Sequence, residues 1–377
     1  MTQHMTQALT LFDLIARTWD VKTRVQALRF NAKGTSLAAM LADGGLAFVS
    51  VNDAESPDSR VRVEADTGRS SIRPRSKPLP PPVFSDVPVA RPDVRLCRLG
   101  DQGFALAHAD TGALWRATAR GQTLAMTAAC KDAVTALAAL PRAGQIVAAH
   151  GRCLALVAES GGAEIAGAEL PHAISQIAAS PDEATLACFG DGRVSIVTAS
   201  DLSAGTPIAC DGTVLDMAWS PCQRWLVAGC ADKAVLLIDV PAGKADRIVD
   251  FPAEVQTVEF SGKAQAMVAS GAYRVVGWEL PDLPFGDHEG TPLETGKPGL
   301  TLVDRVAVHP KRDLCAVSYS TGLVMLCRIG HPDEMLVREG TGAAVTDMVW
   351  SDDGAHLGIG GADGSLSIAT FPRNMFK

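Results

Sequence analysis

Two landmarks recur in step along this 377-residue chain, and their shared period restricts its fold more than any other property. The first is an apolar residue followed by apolar or aromatic residues three and five positions later. It occurs at Val25/Leu28/Phe30, Val94/Cys97/Leu99, Val134/Leu137/Ala139, Ile174/Ile177/Ala179, Val214/Met217/Trp219, Val255/Val258/Phe260, Val303/Val306/Val308 and Val345/Met348/Trp350. The second lies 16 to 18 residues beyond each start: a tight-turn motif leading into an alternating apolar run, at Asp43, Asp110, Gly151, Asp191, Asp232, Ala272, Thr321 and Asp363. Most steps between turns are 40 to 42 residues, with longer ones of 67 from Asp43 to Asp110 and 49 from Ala272 to Thr321. A period in this range is the signature of a solenoid or a propeller.

Within one unit the first strand ends at a turn, marked by Ser at 180, 220, 261 and 351 and by Pro at 181, 221 and 310. A small apolar strand such as "WLVAGC" follows, then the tight turn, an alternating strand such as "AVLLIDV", and a more polar fourth strand such as "KADRIVDF". Strands at this spacing, with no 3.6-residue periodicity between them, predict an antiparallel all-β array. Four short strands per unit make a propeller blade, and the chain reads as a single β-propeller over residues 1–377. Eight matches predict eight blades. The unit at Val94 lacks Ser-Pro and follows a long insertion, which leaves a seven-bladed ring as the alternative.

The duplicated octapeptides "VLDMAWSP" (214–221) and "VTDMVWSD" (345–352), together with the turn Asp, are similar to the repeats of WD40 propellers. The Trp-Asp of that family survives only as Ile238-Asp239 and loosely as Trp278-Glu279, and Pro171-His172 stands nearest to its Gly-His. The resemblance implies ring closure by the chain's two ends. The last unit, "SLSIATFPRNMFK", is too short for a fourth strand, whereas Trp19 precedes Val25 by six residues as Ile208 precedes Val214. Residues 11–21 are therefore expected to complete the last blade, removing an open edge.

The resemblance also implies a protein-binding face, built from residues flanking the first apolar position of each repeat: Arg24, Gln26, Asp93, Arg95, Thr135, Ser175, Thr213, Glu254, Gln256, Asp304 and Thr346. This ring is polar and mixed in sign, which suits protein partners better than phosphate backbones. A net charge of −8 argues the same way against nucleic acid.

Two insertions interrupt the period. Residues 67–92 carry Arg69, Arg73, Arg75 and Lys77 without an intervening acid, followed by prolines that favour an extended polyproline II segment. Arg75, Pro78 and Pro81 match an R-x-x-P-x-x-P spacing that would suit docking into an aromatic-lined groove, against the more ordinary reading of a solvated loop packed along the propeller rim. If "RVRVEAD" is the fourth strand of the first blade, this loop emerges on the side of the turns between strands two and three. Residues 280–299 form the second insertion. Its "GTPLETGK" has one residue too many for a phosphate loop and Pro298 where Ser or Thr is needed, and Asp287, His288 and Glu289 read as a solvated turn.

No H-E-x-x-H, G-x-S-x-G or G-x-G-x-x-G motif occurs, and His108 and His150 have no sequence neighbour that completes a triad or ligand set. No metal or cofactor is expected. Nine cysteines without a C-x-x-C pair fit a reducing compartment. Cys97, Cys188, Cys230 and Cys315 fall at core positions, and Cys130 and Cys222 in exposed turns. With no apolar run of membrane-spanning length and no basic leader, the chain reads as cytoplasmic. The expected function is a non-catalytic interaction scaffold or adaptor that presents the propeller face and the basic proline-rich loop to a protein partner, with assembly of a larger complex as one such role. The alternative is an enzyme or small-ligand site at the channel mouth.

Overall fold

The computed structural model describes residues 9–63, 66, 70–373 and 375–376. Eight four-stranded antiparallel sheets follow one another as blades of a ring, each with its first strand innermost. The unit at Val94 forms a full blade, Cys97–Leu99, Gly103–Ala107, Leu114–Ala117 and Thr123–Ala125, so the ring has eight blades rather than seven. Apart from the blades the described residues hold one two-stranded hairpin and two helical turns.

Why strand two is so apolar follows from its place. Each blade is covered on both sides by its neighbours, so a middle strand such as Trp225–Cys230 is buried at all six positions. The core is a series of apolar layers between blades. One joins Phe30, Leu37 and Val49 of the first blade to Leu366 and Ile368 of the last.

The chain's ends close the ring. Ala16–Asp20 runs antiparallel to Ser365–Thr370, with Ala16 opposite Ala369 and Asp20 opposite Ser365. The residues just before it are not extended: Leu11–Ile15 is a short helix, because Thr10 and Asp13 form a capping box that satisfies the first turn.

Successive strands alternate in direction, so the ring has two distinct faces. The entry face carries the turns between strands two and three and the loops leading into each strand one; the far face carries the turns after strands one and three. This corrects the expected side of the first insertion. The fourth strand of blade one is Val83–Phe84, paired with Ala47 and Phe48, while Val61–Val63 forms a hairpin with Ser70–Ile72. The described residues between 51 and 82 therefore lie between strands three and four, on the far face. The second insertion is also divided: Pro292–Thr295 is the fourth strand of blade six, with 280–291 on the far face and 296–302 on the entry face.

Candidate functional site

Both the entry face and the central channel are built by strand one. Outside blade two, the residues three and five places after the first apolar position pack toward the preceding blade, as Leu28, Met348 and Trp350 do, and those two and four places after it turn toward the following one, as Ala27 and Ala136 do. The duplicated octapeptide sits here, and its polar members tie blades together. Asp216 accepts the amide of Val258 in the next blade at 3.2 Å, and Asp347 that of Leu28 at 2.7 Å. In the opposite direction the indole of Trp219 donates to the carbonyl of Ala178 and that of Trp350 to Ala307, each at 3.0 Å. Ser220 and Ser351 accept the amides of Trp225 and His356 and so hold the turn into strand two. The repetition first visible in the sequence is thus a stitch in both directions around the ring.

The turn Asp has a comparable structural role. Asp191 accepts the amide of Ala173, beside which the buried His172 bonds the Ser195 hydroxyl at 2.8 Å. Asp232 is paired with Arg247 of the fourth strand of its blade. These contacts fix the loops that carry the face.

Of the residues expected on that face, Arg24, Gln26, Asp93, Arg95, Ser175, Thr213 and Glu254 are exposed, and Gln256 and Asp304 are half-buried. Thr135 is half-buried and donates its hydroxyl to the carbonyl of Ile174 at 2.6 Å. Thr346 is buried, its hydroxyl on the carbonyl of Gly360, and offers nothing to a partner.

The basic loop is tied down. Arg75 forms a two-pronged pair with Asp53 at 2.6 and 2.8 Å, and Glu55 accepts the amide of Lys77. The indole of Trp19 donates to the carbonyl of Pro80, and Leu79 packs against the layer between the first and last blades. Arg73 and the side chain of Lys77 stay exposed; Arg69 lies outside the described residues. The polyproline stretch is therefore laid along the rim, with Arg75 unavailable as a docking cation.

Burial separates the cysteines. Cys97, Cys188, Cys230 and Cys315 are buried, and burial pushes the thiols of Cys97 and Cys188 up to about 12. Cys130 and Cys222 are exposed, as is Cys153, which had been hidden in sequence by its place at the start of a strand. His108 stacks on Trp115 and His150 bonds the carbonyl of Asp132. His288 faces Asp282 at 3.1 Å in its own turn. Among the described residues no three His, Cys, Asp or Glu side chains are grouped as a metal site, and no helix is long and apolar enough to cross a membrane.

Glu259 in the channel wall is a strongly perturbed carboxyl. Burial, reinforced by the charges of Asp216 and Asp347, pushes it up to about 8 against the bond from the Val308 amide and the charge of Arg95. The folded chain then holds a proton that the unfolded chain has lost above about pH 4.5. Stability should fall as pH rises from there through about 8, by up to about 5 kcal/mol. Glu259→Gln keeps an acceptor for Val308 and should remove this decline, which paired thermal melts at about pH 5 and pH 9 will test.

Sequence reasoning missed three exposed apolar side chains in the entry-face loops around blade six. Leu300 is 99% exposed and Tyr273 47% exposed, joined through the amide of Gly299 on the carbonyl of Tyr273. Val249, 57% exposed, occupies the preceding entry-face loop. The one signal available was their position in loops between strands, where an apolar side chain has no core to enter.

Comparisons with known proteins agree with this geometry. A family model described as the anaphase-promoting complex subunit 4 WD40 domain matches residues 306–373, and one described as WD domain, G-beta repeat, matches residues 205–239. No curated protein matches. Among solved structures, the Dos1 propeller is 15% identical with a TM-score of 0.67, covering 96% of each chain. The computationally designed Ika8 protein is also 15% identical, with a TM-score of 0.63, covering 95% of this chain and 99% of its own.

Proposed function

From the premise that this chain is a WD40-repeat β-propeller, we infer that it acts as a non-catalytic scaffold, binding a protein partner through the entry face over blades five to seven. Propellers of this family generally serve protein interaction. The observation that supports this location is the exposure of Leu300 beside Tyr273, with Val249 in the loop before them. Aromatic and apolar anchors surrounded by polar residues are the usual source of binding energy at interfaces, and Glu254, Gln256 and Asp304 supply such a rim here. The nine free cysteines fit a cytoplasmic setting, and a role within a larger assembly fits a chain with this much loop surface.

Tyr273 and Leu300 contribute little to the core, so changing both to Asp should leave the melting temperature within a few degrees of wild type. It should weaken a partner captured from native lysate at least tenfold, the effect of losing one anchor worth about 1.4 kcal/mol or more. Quantitative mass spectrometry of material captured by the two baits checks this. Equal recovery would sink the assignment of this surface. A parallel Arg73→Glu, Lys77→Glu bait that alone loses the partner would move the interface to the far-face loop.

A further inference from the structure

The channel is charged on one side and nearly bare on the other. Blades three and four present Ala136, Ala138, Gln176 and Ala178 to it, and their small side chains leave a cavity of about 620 Å³ reaching from the mouth beside Asp93 to Asp352. Arg29, Arg95 and Arg98 of blades one and two line the same space.

The acids nearby are largely engaged by the backbone. Asp347 has one oxygen on the amide of Leu28 and the other on that of Met348. Asp216 holds the Val258 amide, and Glu259 the Val308 amide at 2.6 Å. Arg98 is matched by Asp352 in a two-pronged pair at 2.7 and 2.8 Å, and Arg305 donates to the carbonyl of Gln256. Arg95 has a single long contact, 3.4 Å to Asp216. Arg29 has a buried Nε without a partner among the described residues. Burial and then the charge of Arg95 lower the affinity of Arg29 for its proton, which the charge of Asp347 partly restores; at Arg95 burial is outweighed by the charges of Asp216 and Asp347, which raise it. Glu259, held up to about 8 by burial, adds little negative charge near neutral pH.

We propose that the channel is a binding site for a small phosphate-bearing molecule, its phosphate held between Arg29 and Arg95 and its body against the alanine wall of blades three and four. Planar guanidinium groups present paired donors that match phosphate oxygens, and Arg29 and Arg95 have donors left over after their contacts within the chain. The cavity lies within the ordinary size range of small-molecule sites. The site does not depend on the entry-face interface.

Titration calorimetry of the full chain with pyrophosphate at low ionic strength tests this. One saturable site is expected. Arg29→Gln and Arg95→Gln should each weaken it about tenfold or more, the cost of one charge-assisted contact. Arg29→Lys should retain part of the affinity, and Arg73→Gln on the far face should change nothing. Ala178→Phe fills the cavity without altering either arginine and should abolish binding, which separates loss of the site from loss of charge. Thermal melts establish that each variant is folded. Absence of saturable binding to the wild type, or binding that persists in Ala178→Phe or falls equally in Arg73→Gln, would overturn the proposal.

Discussion

A chain lacking residues 1–22 is expected to lose its cooperative thermal transition and to elute from a sizing column as aggregate. The deleted segment supplies the fourth strand of blade eight, and with it Ile15, Trp19 and Val21, all at 6% exposure or less. Burying three such side chains is worth on the order of 5–8 kcal/mol, which approaches the whole stability of many domains. Arg17 goes as well, and its guanidinium holds the carbonyl of Val51 at 2.8 Å and faces Asp53 at 3.6 Å. What remains is Ser365–Thr370 as an unpaired edge, open to pairing between molecules. A soluble monomer with a wild-type melt would show that the ring does not need this closure.

Trp350→Ala should cost about 3–5 kcal/mol, the usual range for deleting a buried aromatic side chain. Trp350 is 6% exposed, lies 4.7 Å from the ring of His309 and 5.4 Å from that of Phe371, and bonds the carbonyl of Ala307. Removing it opens a cavity between blades seven and eight and leaves that carbonyl without its donor. Trp350→Phe keeps most of the apolar volume and should cost only about 1–2 kcal/mol, near the penalty for one unsatisfied buried polar group. Denaturant unfolding of both variants tests the pair. Equal losses would mean that the indole bond matters no more than the ring, and a negligible loss in Trp350→Ala would remove the tryptophan from the set of blade-to-blade ties.

Much of the architecture was legible because each blade repeats the same physical problem. Strand one must carry apolar residues into the blade at fixed intervals, and the next turn must be tight, so Val214 and Asp232 announce a blade without help from distant residues. Closure was legible through Trp19, whose spacing from Val25 matches that of other fourth strands. The face of the first insertion was not legible. Val61–Val63 reads as a better strand than Val83–Phe84, and only the pairing of Phe84 with Ala47 decides between them. The restraint of Arg75 was equally hidden, since Asp53 lies 22 residues away in sequence. The channel charges were visible as letters, but Arg29, Arg95 and Asp216 come from three blades, and only the closed ring brings them to one space.

Ring closure also orders events in time. Asp20 emerges from the ribosome before every strand of the other seven blades, and its pairing partner Ser365 only after them. At about 5–20 residues per second the intervening chain takes roughly 20 to 70 seconds to translate. Throughout that interval Ile15, whose core neighbours come from blades seven and eight, has no layer to enter, so the nascent chain carries an apolar side chain that another surface, such as a chaperone, can shelter until blade eight is made.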